Sequence, residues 1–128
     1  AVIDQGTGRR LRGRYAFTAE IAGKTGTTQK NSDGWFVGMI PRLVAGCWVG
    51  GENRNIHFNS TAMGQGASMA LPIWALFIKK VFNDPTLGYS PKEKFQIPSD
   101  FKYCDDSALS ADSLGAGEVP EDFYEITL

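Results

Sequence analysis

Small, hydroxylated and charged side chains are concentrated in one short stretch, Ala22–Thr28, which reads Ala-Gly-Lys-Thr-Gly-Thr-Thr. Glycines let a ligand approach the backbone, threonine hydroxyls donate and accept hydrogen bonds, and Lys24 supplies a positive charge. A plain edge strand would more often carry large branched or aromatic residues at these positions. The composition therefore slightly favours a ligand site over an ordinary glycine-rich turn.

The Gly-Lys-Thr in this stretch first suggests a phosphate-binding P-loop, whose pattern needs another glycine five positions before Gly23. That position is occupied by Thr18. The residues that precede the lysine, Ala19–Ala22, do not form a glycine loop. The sequence that follows is typical of strands rather than of a long helix. The P-loop interpretation therefore fails.

Lys-Thr-Gly is also one of three motifs of the active-serine penicillin-recognising enzymes. Here Lys24–Thr28 is followed by a polar connector, by Asp33–Gly38 and Ala45–Gly50, and later by Pro-Ile-Trp at Pro72–Trp74. This ordered set closely resembles the transpeptidase domain of the bifunctional class A penicillin-binding proteins, from about Val2 onward to residue 88. The resemblance implies the C-terminal part of that domain.

The resemblance also implies roles for the residues of the Lys-Thr-Gly stretch. In that family a serine attacks the peptide carbonyl of a stem peptide that ends in D-Ala-D-Ala, and β-lactams stop at the acyl-serine stage. At the matching positions, the N–H of Thr27 is half of the oxyanion hole, and the hydroxyls of Thr25 and Thr27 hold the substrate carboxylate. Lys24 attracts that carboxylate and assists proton transfer. Lys24 and Thr27 are thus the predicted catalytic residues, Thr25, Gly26 and Thr27 bind substrate, and no metal or cofactor is expected.

The other two motifs of the family should precede Lys24, and neither of them does. Ser99–Lys102 matches Ser-x-x-Lys formally, but it follows Lys24 in polar sequence, and we interpret it as coincidence. The sequence therefore predicts a fragment that carries one wall of the active site and is inactive alone, with the upstream half of the domain as its partner. The resemblance places the parent at the periplasmic face of the bacterial inner membrane, held by its own anchor, with a glycosyltransferase domain outside this chain.

Two other functions stay open on the sequence alone. A β-lactamase or D,D-carboxypeptidase relative would use the same strand, although Asp33–Phe36 and Pro72–Trp74 favour the transpeptidase. A non-catalytic module could instead bind a peptide along its sheet edge. The upstream sequence would separate the enzymes from one another, and cooperative unfolding of the chain alone would favour the module.

Composition excludes several classes of function. The 128 residues carry a net charge of −1, which argues against a nucleic-acid surface held by phosphate contacts. The arginine cluster within residues 9–14 is interpreted as a solvated or substrate-facing loop. No apolar run reaches the ~20 residues of a membrane span. Cys47 and Cys104 lack metal-ligand spacing, and we expect Cys47 to be a small core residue. His57, in a polar loop, is assigned no role.

Three strands are predicted to position the Lys-Thr-Gly stretch. Residues 1–14 are predicted to form a loop, and the first strand lies within Tyr15–Thr27, best formed from about Glu20. Strands Trp35–Ile40 and Leu43–Val49 should form an antiparallel hairpin, because only a two-residue reversal separates them. Both faces of this hairpin are apolar. Its first strand places Trp35, Val37 and Met39 on one side and Phe36 and Ile40 on the other, and its second strand places Val44 and Trp48 opposite Leu43, Ala45, Cys47 and Val49.

One helix is predicted, over Ala67–Asn83, with its regular part beginning near Pro72 because proline belongs in a first turn. Its apolar stripe is predicted to comprise Ala70, Ile73, Trp74, Phe77, Ile78 and Val81. The fold class is therefore α+β, an antiparallel sheet of about three strands with a C-terminal helix on one face, a partial penicillin-binding or serine β-lactamase-like fold. Residues 1–88 are assigned to the transpeptidase domain and residues 89–128 to a polar, acidic tail.

Overall fold

The computed structural model describes residues 2–101. Its helices are α1 (Arg10–Gly13), α2 (Thr61–Gly64) and α3 (Gly66–Asn83), and its strands are β1 (Ala22–Thr27), β2 (Asp33–Ile40) and β3 (Leu43–Gly50). Short 3-10 turns lie at Thr7–Arg9, Gln29–Asn31 and Pro85–Leu87. The strands form one antiparallel sheet in the order β1-β2-β3. The predicted α+β class with a three-stranded antiparallel sheet is confirmed.

Helix α3 packs on one face of the sheet, which we call the covered face. Phe36 and Ile40 of β2 are buried there, together with Trp74 of α3. The rings of Phe36 and Trp74 meet edge to face, with centroids 5.2 Å apart. Gly38 makes this contact possible, because a Cβ at that position would lie 2.6 Å from the Trp74 ring. A glycine in β2 therefore lets the indole lie directly on the sheet.

The opposite face, which we call the open face, carries large apolar side chains that remain 37–63% exposed: Trp35, Val37, Met39, Val44 and Trp48. The strand register pairs Trp35 with Trp48 and Met39 with Val44. The predicted division of the hairpin into two apolar faces is therefore confirmed. No helix of residues 2–101 shields these five side chains from solvent.

One prediction for the N-terminal part was wrong. Residues 1–14 contain a 3-10 turn and α1 rather than a plain loop, because Ile3 and Leu11 are buried in the core. The first strand is confirmed within its predicted range, but β1 begins at Ala22 rather than near Glu20. The residues before it leave the sheet because their apolar side chains pack under α3, where the Phe17 ring lies 6.5 Å from that of Trp74.

The predicted helix over Ala67–Asn83 is confirmed as α3, but its regular part does not begin near Pro72, because the helix runs without a break from Gly66 through that proline, its seventh residue. Pro72 has no N–H, so the helix lacks one backbone hydrogen bond at this position and continues past it. Ile73 and Phe77 were assigned to the core stripe, but they are 50% and 45% exposed. The buried face instead includes small residues, which let the helix approach the sheet closely: Ala67, Ala70 and Ala75.

The hairpin turn is held from outside the sheet. Arg42 has a positive φ of 72° after Pro41, which suits the third position of a type II turn that usually carries glycine. Its guanidinium forms an ion pair with Glu93 and donates to the Gly88 carbonyl at 2.8 Å, and it lies over the Tyr89 ring. These contacts attach the segment after α3 to the hairpin turn.

The division into a domain and an acidic tail stays a prediction, and residues 102–128 lie outside the described residues. Cys104 is among them. Cys47 is half-buried on the covered face, and burial raises the pKa of its thiol. By length and composition only, the stretch Thr61–Asn83 is apolar enough to cross a membrane, which the sequence analysis did not anticipate. This supports a membrane-spanning helix only weakly. The core helix of a soluble protein can have the same length and composition, and 44% of the most apolar part of this stretch is buried in the structure.

Candidate active site

The Lys-Thr-Gly stretch lies on β1, which is an edge strand of the sheet. The N–H of Thr28 donates to the Asp33 carbonyl of the neighbouring strand segment at 3.2 Å. Backbone groups in an antiparallel ladder alternate between facing the partner strand and facing away from it. The N–H of Thr27 and the carbonyl of Thr25 therefore point to the free edge of β1, away from β2.

Lys24 extends from the open face and turns back to the same free edge. Its register partner is Val37, whose side chain lies on the open face. The Lys24 ammonium donates to the Thr25 carbonyl at 2.8 Å in an exposed position. The edge of β1 thus combines a positive charge with the outward N–H of Thr27.

The hydroxyls of Thr25 and Thr27 lie on the covered face, opposite the face from which Lys24 extends. Thr25 is paired in register with the buried Phe36. Its Oγ1 lies 3.1 Å from that of Thr7. The Thr27 Oγ1 accepts a hydrogen bond of 3.0 Å from the N–H of Gly66, the first residue of α3. Each hydroxyl therefore has a protein partner that fixes its position.

Glycines allow the start of α3 to approach this strand. A Cβ at Gly66 would lie 2.3 Å from the Trp35 carbonyl oxygen and 2.5 Å from that of Gly26. A Cβ at Gly26 itself would lie 3.3 Å from that of Trp35. The glycine of Lys-Thr-Gly, Gly26, therefore borders the open face, while its carbonyl contacts the start of the helix on the covered face.

The arginine cluster, interpreted from sequence as a solvated or substrate-facing loop, has structural contacts. The guanidinium of Arg10 donates to the Ala67 carbonyl at 3.0 Å and to the Ser68 hydroxyl at 2.9 Å. Arg12 donates to the carbonyls of Phe17 and Ala19 and pairs with Asp4. Arg10 therefore attaches the N-terminal segment to the first turn of α3.

Sequence reasoning missed three contributors to the site: Thr7, Arg10 and the N–H of Gly66. The flanking glycines in Gly6-Thr7-Gly8 were the only local signal, and they were assigned to a loop. His57 lies in an exposed segment, where its Nδ1 is 3.3 Å from the Phe58 carbonyl. Among residues 2–101 there is no group of three or more His, Cys, Asp or Glu side chains that could hold a metal.

The edge of β1 is chemically suited to an anion or to an oxygen on which negative charge develops. Lys24 supplies charge, Thr27 supplies an outward N–H, and Thr25 supplies a hydroxyl on the covered face of the same strand. Backbone donors held by a strand need no reorganisation when charge appears, which makes them effective in an oxyanion hole.

No family model matches the chain. Curated relatives do match it. It is 38% identical over 96 residues to penicillin-binding protein 1B of Vibrio cholerae, covering 75% of this chain and 10% of that protein. It is 39% identical over 101 residues to penicillin-binding protein 1A of Aquifex aeolicus, with 77% and 12% covered. It is 30% identical over 122 residues to penicillin-binding protein 1A of Rickettsia typhi, with 94% and 14% covered.

The matches span most of this chain, whereas the chain spans only 10–14% of the length of these three relatives. The family that the ordered motifs suggested is thus the family to which the relatives belong. The chain is a segment of a class A penicillin-binding protein of the 1A/1B family.

Proposed function

We propose that this chain forms the Lys-Thr-Gly wall of a serine-type D,D-transpeptidase with the penicillin-binding fold. The parent protein would cross-link peptidoglycan stem peptides at this site and bind β-lactams there. The observation that carries the proposal is the free edge of β1, where the Lys24 ammonium and the N–H of Thr27 are both available to a ligand. The names of the relatives support penicillin binding over a β-lactamase or a non-catalytic module.

In the proposed reaction, a serine oxygen from the rest of the parent attacks the carbonyl carbon between the two D-alanines. The C–N bond breaks, the serine proton passes to the leaving terminal D-alanine, and an acyl-serine ester remains. The amine of a second stem peptide then attacks the ester, which forms the cross-link and returns a proton to the serine. The N–H of Thr27 donates to the oxyanion in both steps, and removal of such a donor costs about 2.7–4 kcal/mol in a well-studied protease.

The side chains of the strand act on the substrate carboxylate. Lys24 attracts it by charge and assists proton transfer, and the hydroxyls of Thr25 and Thr27 hydrogen-bond to it. Gly26 lets the ligand approach the strand. Because Thr25 and Thr27 already have partners in Thr7 and Gly66, their oxygens are fixed before the ligand arrives. Such preorganisation reduces the entropy that binding must offset.

The open face supports a further part of the proposal. Trp35 and Trp48 are 44% and 47% exposed next to the position from which Lys24 extends. A patch of this kind is unusual on a soluble monomer and typical of an interface. We infer that the upstream half of the transpeptidase domain covers this face and brings the serine to Lys24. The parent would work at the periplasmic face of the inner membrane through its own anchor, with a glycosyltransferase domain outside this chain.

Intact-mass spectrometry after incubation with a penicillin tests the proposal. The full-length protein should gain the mass of one drug molecule, and peptide mapping should place it on a serine outside this chain. The 128-residue chain alone should gain no mass, because the nucleophile is elsewhere. An adduct on the chain alone, for example at Ser99, or no adduct on the full-length protein, would contradict the proposal.

A further inference from the structure

The nearest partner of the Thr25 hydroxyl comes from outside the sheet. Thr7 lies in the 3-10 turn Thr7–Arg9, and its Oγ1 is 3.1 Å from that of Thr25. The two residues are 18 positions apart in the chain, so the contact depends on the tertiary fold. Thr7 also lines an open pocket of about 240 Å³ together with Arg9 and Arg10. It therefore lies between the edge of β1 and a positively charged recess.

The turn that carries Thr7 is held rigidly. The N–H of Gly8 donates to the Val2 carbonyl at 2.9 Å, and a Cβ at Gly8 would lie 2.8 Å from the Ile3 side chain. On the other side, the Arg10 guanidinium is hydrogen-bonded to the first turn of α3. Thr7 is thus fixed between the buried core and α3, which is the condition for one side chain to orient another.

When an anion binds to Thr25, the number of hydroxyl hydrogens determines which threonine donates the hydrogen bond between Thr7 and Thr25. A hydroxyl has one hydrogen to donate and two lone pairs to accept with. If Thr25 donated to Thr7, it would have no hydrogen left for a carboxylate. If Thr7 donates to Thr25, the Thr25 hydrogen is free to point at the ligand, and the chain of hydrogen bonds strengthens both links.

We propose that Thr7 is a positioning residue for the carboxylate-binding hydroxyl of Thr25. It donates to the Thr25 Oγ1 and so directs the Thr25 hydrogen toward a carboxylate at the edge of β1. This inference rests on the proposed function, since it assumes that a ligand carboxylate binds there. The inference covers less than the proposed function does. It gives Thr7 an effect on recognition of the carboxylate and no part in the acyl-transfer step itself.

The test uses the full-length protein and two forms of one penicillin, the free acid and its methyl ester. Thr7→Val removes the hydroxyl and keeps the shape. It should lower the acylation rate constant for the free acid roughly 3- to 10-fold, the equivalent of one hydrogen bond. The rate constant for the ester should change less than about 2-fold, because the ester lacks the anionic oxygen that Thr25 recognises. Thr7→Ser should restore the free-acid rate.

Two further variants make the outcome decisive. Thr18→Val is the matched control, since Thr18 is an exposed threonine outside the site, and it should leave both rates unchanged. Lys24→Ala, measured alongside, tests the proposed function itself. Equal losses of acylation rate for the acid and the ester in Thr7→Val, or no loss with either, would overturn the role of Thr7. A large loss of rate in Lys24→Ala in the same experiment would still support the proposed site. No loss in Lys24→Ala would overturn the site. Thr7→Ala repeats the comparison if the valine destabilises the protein.

Discussion

The two faces of the sheet formed by β1, β2 and β3 are similar in composition and different in packing. On the covered face, Phe36 and Ile40 are fully enclosed under α3. On the open face, Trp35 and Trp48 are aligned across the hairpin and remain nearly half exposed. The covered face therefore stabilises this unit, and the face that carries Lys24 has no comparable cover among residues 2–101. Apolar composition alone does not tell which of two faces makes the core.

The largest effect that separates the two faces should come from their tryptophans. Trp74→Ala removes the buried indole that packs on Phe36 and should lower the free energy of unfolding of the chain by about 3–5 kcal/mol. Trp48→Ala on the open face should cost less than about 1 kcal/mol, because much of that side chain is already in solvent. Urea unfolding followed by circular dichroism measures both. Similar losses for the two variants would show that the faces are equally buried.

A matched pair of glycines tests the same contrast by adding a methyl group. Gly38→Ala places a Cβ against the Trp74 ring and should cost about 1–3 kcal/mol. Gly46→Ala on the open face places its Cβ 3.7 Å from Val37, an ordinary contact, and should change stability by less than about 0.5 kcal/mol. Thermal unfolding of the two variants gives the comparison. A tolerated alanine at position 38 would mean that α3 packs less closely than described.

The smallest effect is expected at the hairpin end, where Arg42 pairs with Glu93 away from both faces. The hydrogen bond from the Arg42 guanidinium lowers the pKa of the Glu93 carboxyl. A lowered carboxyl pKa stabilises the folded state above the ordinary glutamate pKa, and this contribution is lost as the pH falls through the lowered value. Glu93→Gln should therefore be slightly less stable than the natural chain at neutral pH and equal to it in acid.

Unfolding midpoints across that pH range give the measurement, with Glu52→Gln as the control for an exposed glutamate. A difference between Glu93→Gln and the natural chain that stays constant on acidification would show that the ion pair contributes nothing through its charge.

The strands and the two faces of the hairpin could be predicted because alternation along a strand is a local signal. Trp35 and Phe36 are neighbours in sequence and must lie on opposite faces once β2 forms. The contacts of Arg42 with Glu93 and Gly88 had no such signal. They depend on residues about fifty positions away.

The helix face could not be predicted for a related reason. Helix α3 is apolar over much of its circumference. The helical repeat of about 3.6 residues is therefore compatible with a buried face that contains Ile73 and Phe77 and equally with one that contains Leu71 and Ala75. The sheet selects the face that carries Trp74 together with Ala67, Ala70 and Ala75, which are buried against it. The start of α3 before Pro72 and the contact between Thr7 and Thr25 likewise depend on distant partners.

The most direct test of the account is the rate at which a penicillin acylates the full-length protein when Lys24 is replaced. Lys24→Ala should lower the second-order rate constant on the order of 100-fold, the loss expected when one electrostatic group is removed from a reacting centre. The unfolding midpoint should stay unchanged, because Lys24 is exposed and β1 is held by backbone pairing. Lys79→Ala, an exposed lysine on α3, should leave the rate unchanged. A rate constant for Lys24→Ala within about twofold of the natural protein, well under 1.4 kcal/mol, would contradict a catalytic role for the edge of β1.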